Sequence, residues 1–264
     1  MDKPLYAINR SDFYSANMKI CRFSKDGNVR IGIVEGEEIW VCDTELRKTQ
    51  ELWYLDEVKI LAPAQPSKIV CVGRNYAEHA AELGNEVPKE PLLFLKAPSS
   101  LIASGEPIII PSQSDQVEHE GELAVIIGRG CKSLPDDDDP LKYVLGYTCL
   151  NDVTARDIQR MDVQFTRGKS FDTFCPIGPY VETELDVTDI RVTTRVNGTI
   201  KQDGRTSQMV FAVDFLIRYI SNMMTLLPGD VIATGTPSGV SKLSSGDVCE
   251  VEIERIGTLT NPVK

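Results

Sequence analysis

Histidine is scarce in this chain: His79 and His119 are the only two in 264 residues, so a histidine-rich metal site is out of contention. Long apolar runs are missing as well. The longest, such as Glu122-Leu-Ala-Val-Ile-Ile-Gly128, fall far short of the roughly 20 residues a membrane-spanning helix needs, so no membrane partner is expected. The seven cysteines (Cys21, Cys42, Cys71, Cys131, Cys149, Cys175 and Cys249) contain no C-x-x-C pair. Odd in number and widely spaced, they argue against a disulfide framework and for a reducing compartment, the cytoplasm. Lys and Arg form no stripe, and the formal charge of -11 repels phosphate backbones, which excludes nucleic acid as a partner. The N-terminus lacks the apolar core and small-residue cleavage site of a secretory leader.

What is present is an ordinary globular composition, 42% hydrophobic and 25% charged, enough for one large core or one core with a small accessory domain. An acidic protein that handles an anionic substrate needs local positive charge, which a bound metal ion can supply. Residues 1 to 17 mix Pro, Asn, Ser and charges without period and read as a poorly ordered N-terminal extension; Met18 suits a natural start. Strand-like runs follow at Met18 to Phe23, Val29 to Val34 and Glu38 to Val41, with Asp26-Gly27-Asn28 as a turn, giving a small β-rich N-terminal domain over 18 to 66. Pro63-Ala-Gln-Pro66 marks its end.

From residue 67 to 264 most apolar runs are short, β-branched and bounded by Gly or Pro: Lys68 to Val72, Leu92 to Leu95, Ile108 to Ile110, Leu123 to Ile127, Val144 to Leu150, Val192 to Val196, Val231 to Ala233 and Val248 to Ile253. Two helices are predicted, Tyr76 to Leu83 and Phe211 to Met224, the second from Phe211, Phe215, Tyr219 and Met223 at four-residue spacing. The expectation is a mixed α+β fold, mostly β, without the regular β-α-β alternation of Rossmann or TIM architectures.

Glu120 and Glu122 stand where His119-Glu-Gly-Glu-Leu-Ala-Val-Ile-Ile127 enters a strand, and a two-residue spacing points both carboxylates to one face. They are either a solvated strand edge or part of a metal site. Asp152 ends another apolar strand just before a turn, where it either caps the turn or adds a third carboxylate. Three carboxylates without histidine would make an all-oxygen site suited to Mg²⁺, Mn²⁺ or Ca²⁺. His79 and Glu82 are three apart on a predicted helix, which makes them a solvent-facing pair or a general base with its orienting acid. Lys169 lies in a loop-like, Gly- and Pro-punctuated stretch, either on the surface or beside a carboxylate or enolate oxygen. Thr234-Gly-Thr-Pro-Ser-Gly239 is a plain turn or a loop whose N–H groups face an anion. Asp136 to Asp139 lacks the EF-hand glycine and reads as a solvated loop or helix start, and no histidine near Cys175 supports a thiol nucleophile.

Six segments in order, Gly73-Arg-Asn-Tyr-Ala-Glu-His79, Pro91-Leu-Leu-Phe-Leu-Lys96, His119-Glu-Gly-Glu-Leu123, Asp152-Val-Thr-Ala-Arg-Asp-Ile-Gln159, Gly168-Lys-Ser-Phe-Asp-Thr-Phe-Cys-Pro176 and Thr234-Gly-Thr-Pro-Ser-Gly239, resemble the fumarylacetoacetate hydrolase family, especially its short acylpyruvase and oxaloacetate decarboxylase-like members. The resemblance implies a rolled, mixed β-structure, a homodimer, and Mg²⁺ or Mn²⁺, with Ca²⁺ as an alternative, on Glu120, Glu122 and Asp152. It also implies a His79/Glu82 dyad, Lys169 and Gln159 beside a small anionic 2-oxo acid, Thr236 at its carboxylate, and Arg74 among the substrate contacts. The activity implied first is C–C hydrolysis of acylpyruvates such as fumarylpyruvate through an enolate stabilised by the cation. Oxaloacetate decarboxylation or tautomerisation, and isomerisation of 2-hydroxyhepta-2,4-diene-1,7-dioate, use the same groups. The alternative of another class is a non-catalytic metal-binding dimeric scaffold.

Overall fold

The computed structural model describes residues 17–264, and the N-terminal extension expected over residues 1 to 17 lies outside the described residues apart from Asn17. Three expected strands form: β1 (Lys19–Lys25), β2 (Asn28–Glu35) and β3 (Glu38–Cys42). Asp26 and Gly27 both take positive φ between the first two, as a two-residue hairpin turn requires. Two more strands, β4 (Lys48–Tyr54) and β5 (Lys59–Leu61), were not legible. The first is a half-exposed edge rich in polar residues, so it carries little apolar signal.

The chain continues with β6 (Ile69–Gly73), α1 (Ala77–Glu82), β7 (Leu92–Lys96), β8 (Leu101–Ile102), β9 (Val117–Glu118), β10 (Gly121–Ile127), β11 (Val144–Asn151), β12 (Thr154–Ala155), α2 (Arg156–Met161), α3 (Thr166–Lys169) and β13 (Cys175–Glu182). It ends with β14 (Arg191–Val196), β15 (Thr199–Arg205), α4 (Val213–Met223), β16 (Val231–Ala233), β17 (Val248–Ile253) and β18 (Gly257–Pro262). One twelve-stranded sheet runs β4-β3-β2-β1-β13-β11-β10-β16-β6-β7, with β5 on β1 and β8 on β13. Its pairings of β16 with β6 and of β13 with β8 are parallel and the others antiparallel. An antiparallel sheet, β15-β14-β17-β18, packs beside it. The fold is therefore mixed and mostly β, as expected.

Every residue of β10 and β11 is buried, because both faces of these central strands are covered. Leu123, Val125 and Ile127 meet α4 and the four-stranded sheet, whereas Ala124 and Ile126 meet Ile177, Ile20 and Ile31 on the other side. The N-terminal strands extend this sheet: β1 pairs with β13, Lys19 opposite Glu182 and Ile20 opposite Val181.

Three expectations need correction. Ile108 to Ile110 is no strand; Ile108 makes a single bridge to Val263, and Pro107 and Pro111, which lack N–H groups, close off a longer ladder. The buried face of α4 is Val213, Leu216, Ile217 and Ile220, so the residues at four-residue spacing do not form it: Phe215 is 46% and Met223 55% exposed, although Phe211, just before the helix, packs against the core. The third is Lys169, which sits at the end of the short helix α3 and not in an irregular loop.

Candidate active site

Glu120 precedes β10 and Glu122 lies one step inside it, and both are buried. The glycine between them is required by packing: a Cβ at Gly121 would lie 2.1 Å from Thr194 Oγ1 and 3.2 Å from Val251 Cγ1. Strand register supplies the third carboxylate. Gly121 faces Asn151 at the end of β11, and the Asp152 amide donates to the Glu120 carbonyl at 2.8 Å. One oxygen from each of Glu120, Glu122 and Asp152 then lies within 4.8 Å of the others.

Buried carboxylates need partners. Lys169 Nζ donates to Glu120 at 2.8 Å and to Asp152 at 2.6 Å; Lys96 Nζ donates to Asp152 at 2.6 Å. Arg156 Nε donates to Glu118 at 2.8 Å and Nη2 pairs with Glu120. Glu122 is different: it accepts the Gly235 amide at 2.8 Å and has no ion-pair partner among the described residues. Four buried carboxylates, Glu118, Glu120, Glu122 and Asp152, thus face three buried cations. Burial, then the charges of Asp152 and Glu120, push the Glu122 carboxyl well above its ordinary range. Burial works against the Glu120 carboxylate too, but Lys169 and Arg156 outweigh it and hold this group below the ordinary range. An all-oxygen donor set with one carboxylate short of positive charge fits a hard divalent cation.

His79, on α1, is buried, and its Nδ1 lies 3.3 Å from Glu82 Oε2. Glu82 also accepts the Gly239 amide at 3.1 Å, so the 234–239 segment holds the dyad's acid. This segment does present N–H groups to anions, but the recipients are the protein's own Glu122 and Glu82. Gly239 has φ +101, and a Cβ there would meet Lys201 O at 2.0 Å, so the loop depends on glycine at this point.

Arg74, His79, Glu120, Glu122, Asp152, Gln159, Lys169 and Thr236 all line one cavity of about 440 Å³, and Glu82 stands behind His79. Gln159 Oε1 accepts from Arg156 at 2.6 Å. The Thr236 hydroxyl is committed within the protein: it donates to Gly121 O at 2.8 Å and accepts from Gln202 at 2.7 Å. His119 is elsewhere employed, bonded to Gln202 and Ser241, and burial pushes it down to about 4, which keeps it neutral. Cys175 is buried and pushed up to about 12 by that burial, so it is no nucleophile. Asp139 caps a 3₁₀ turn through the Leu141 amide, one of the bland roles open to the acidic run. Lys96, Glu118 and Arg156 were not assigned roles in the sequence. Lys96 gave a faint signal, a lysine closing the apolar strand Leu92-Leu-Phe-Leu95.

Residues 68–264 match the family model described as fumarylacetoacetate (FAA) hydrolase C-terminal, and residues 18–63 match the Rv2993c-like N-terminal model. A Mycobacterium tuberculosis protein, Rv2993c, is 49% identical over 93% of this chain and 98% of its own length. The Bacillus subtilis protein named oxaloacetate tautomerase YisK is 43% identical over 80% of this chain and 75% of its own. A crystal structure of 2-hydroxyhepta-2,4-diene-1,7-dioate isomerase from Mycobacterium marinum has a TM-score of 0.85 at 40% identity, covering 93% of this chain and 98% of that one. Since the family match takes in the carboxylates, the dyad and the buried lysines together, the chain belongs to the fumarylacetoacetate hydrolase family.

Proposed function

We propose that this protein enolises small 2-oxo acids, moving a proton on and off the carbon beside the 2-oxo group, with a divalent cation on Glu120, Glu122 and Asp152. The observation that carries the reading is the place of His79: buried, backed by Glu82, and lining the same cavity as the cation-deficient carboxylates. Mg²⁺ or Mn²⁺ held there would act as a Lewis acid on the 2-oxo oxygen and so acidify the neighbouring C–H.

His79 is the base. With Nδ1–H given to Glu82, its Nε2 lone pair takes the proton and later returns it to carbon or oxygen. The Gly239 amide fixes Glu82, which in turn fixes the ring. Lys169, shared between Glu120 and Asp152, is a preoriented positive charge near the oxygen that becomes negative, and it needs no reorganisation as the proton moves. Gln159, its carbonyl oxygen held by Arg156, offers its amide N–H groups to substrate oxygen.

The names of similar proteins agree in kind, since a tautomerase and a double-bond isomerase both relocate a proton next to a carbonyl. Tautomerisation therefore ranks ahead of acylpyruvate hydrolysis. Hydrolysis is the second reading, favoured by the acid-held imidazole, which equally suits activation of water for attack on a distal carbonyl. A scaffold with a structural cation would need no such dyad.

Purified protein should interconvert keto and enol oxaloacetate faster with Mg²⁺ or Mn²⁺ than with chelator, followed by enol absorbance, and His79→Ala should lose about 10²- to 10⁴-fold. Rates no faster than buffer on oxaloacetate, acetylpyruvate and fumarylpyruvate, with either cation, would end the enzymatic reading.

A further inference from the structure

Gly121 stands between two of the three carboxylates, so its backbone sets the angle at which Glu120 and Glu122 face each other. Glycine has the widest choice of φ and ψ, yet packing against Thr194 and Val251 allows no other residue there. Its orientation has to be fixed from outside.

The neighbouring strands do not do this. In an antiparallel pair alternate residues turn their N–H and C=O groups toward the partner, and Glu120, whose carbonyl accepts the Asp152 amide, is the one that faces β11. Gly121 turns its groups the other way, toward β16. That strand pairs only with Ala124 to Ile126; the Thr234 amide still reaches Leu123 O at 3.1 Å, and there the ladder ends. Side chains take over. Thr236 Oγ1 donates to Gly121 O at 2.8 Å, and Gln202 Oε1 accepts the Gly121 amide at 2.9 Å.

Gln202 comes from β15, in the separate four-stranded sheet, and is fully buried. A backbone N–H can only donate, so the atom facing Gly121 N is the side-chain oxygen, and the amide cannot be turned over. Nε2 then donates to Thr236 Oγ1 and to Pro237 O, both at 2.7 Å, which leaves the single Thr236 O–H proton for Gly121 O. The Gln202 oxygen has a second donor in His119, whose Nδ1 is 3.1 Å away while its Nε2 accepts the Ser241 hydroxyl at 2.8 Å. The Gly121 N–H belongs to the peptide group shared with Glu120, and its C=O to the one shared with Glu122. One amide, directly and through Thr236, therefore holds both.

We propose that Gln202 is a positioning residue for the cation: by holding both peptide groups of Gly121 it presets the Glu120 and Glu122 carboxylates for a divalent ion. Its loss weakens ion binding beyond what general destabilisation does. This rests on the cation site of the reading above.

The test titrates Mn²⁺ alone, without substrate, into the full chain and follows the electron paramagnetic resonance signal of the free ion. Gln202→Met keeps the length of the side chain and removes its hydrogen bonds; the Kd for Mn²⁺ should rise about 10- to 100-fold, the usual cost of losing a group that orients metal ligands. Thr236→Val keeps the shape but cuts the bond to Gly121 O, and should raise the Kd by a smaller factor; it decides the matter if Gln202→Met does not fold. Thr206→Val is the control. It takes a buried acceptor from the Ile190 amide, 2.8 Å away, just past the end of β15 and outside the cavity lining, so it should lower the thermal midpoint and leave the Kd unchanged. A folded Gln202→Met or Thr236→Val protein with the wild-type Kd, or an equal rise in Thr206→Val, would overturn the role of Gln202 and leave the enolising reading in place. A wild-type protein that binds no Mn²⁺ would overturn the cation site of that reading and this inference with it.

Discussion

Glu122 and Lys96 make the strongest demands on the site as single residues. Because Glu122 is the carboxylate without a cationic partner among the described residues, Glu122→Gln should leave the chelator-treated protein as stable as before or more so, while removing most of its response to divalent ions. For the wild type, an ion at about 100 times its Kd adds about 2.7 kcal/mol. Thermal midpoints with Mn²⁺ and with EDTA check this, and a full ion-dependent gain in the variant would contradict it. Lys96→Met has the opposite character. It strips one of two lysine donors from fully buried Asp152 and leaves the four buried carboxylates with two cations, which should cost about 3–5 kcal/mol, read from urea midpoints. The carboxylates and the dyad could be picked out from spacing and motif. Their neutralising partners could not, because Lys96 and Asp152 are 56 positions apart and nothing local marks a lysine as buried.

Among the elements, the strands that deliver the site were legible and those that flank it were not. β10 and β11 are long apolar runs because both of their faces are covered, and burial of that kind is written into local composition. β13 escaped notice because Pro176 and Pro179 each remove an N–H and resemble a loop. Its role is nonetheless structural: it pairs with β11 and with β1. Gly146, in β11, permits that pairing, since a Cβ there would lie 2.4 Å from Glu182 O and 2.7 Å from Val181 Cγ1. Gly146→Ala should therefore destabilise by about 1–3 kcal/mol. It should also lower the activity, because β11 ends at Asn151, the residue before Asp152. A denaturant midpoint equal to wild type would contradict this. The stripe on α4 shows the converse: four-residue spacing identified the helix, but Phe215 and Met223 are exposed while Val213, Leu216, Ile217 and Ile220 fill the core. A helix with apolar residues on more than one face does not reveal from its own sequence which face has a neighbour.

For the whole molecule, the continuity of β1 with β13 joins the N-terminal strands to the sheet that carries the carboxylates. Ile20 and Ile31 belong to the same core as Leu150 and Ile177. The two tryptophans, Trp40 and Trp53, both lie in the N-terminal strands β3 and β4, so their fluorescence reports that part alone. Thermal unfolding followed by tryptophan fluorescence and by far-ultraviolet circular dichroism should give coincident midpoints, the mark of one cooperative unit. An earlier fluorescence transition would mean that the N-terminal strands melt independently.

The sequence by itself determined the ingredients: the ordered motifs, the strands buried on both sides, the acidic donors and a histidine three residues from a glutamate. Those are local facts, set by side-chain chemistry and by the two- and four-residue periodicities of strand and helix. Only the tertiary structure decided the charge balance around the carboxylates, the commitment of the Thr236 hydroxyl to Gly121 and the reach of Gln202 to the Gly121 amide. Each of these depends on which distant groups a chain segment meets, and strand register and loop closure fix that for the molecule as a whole.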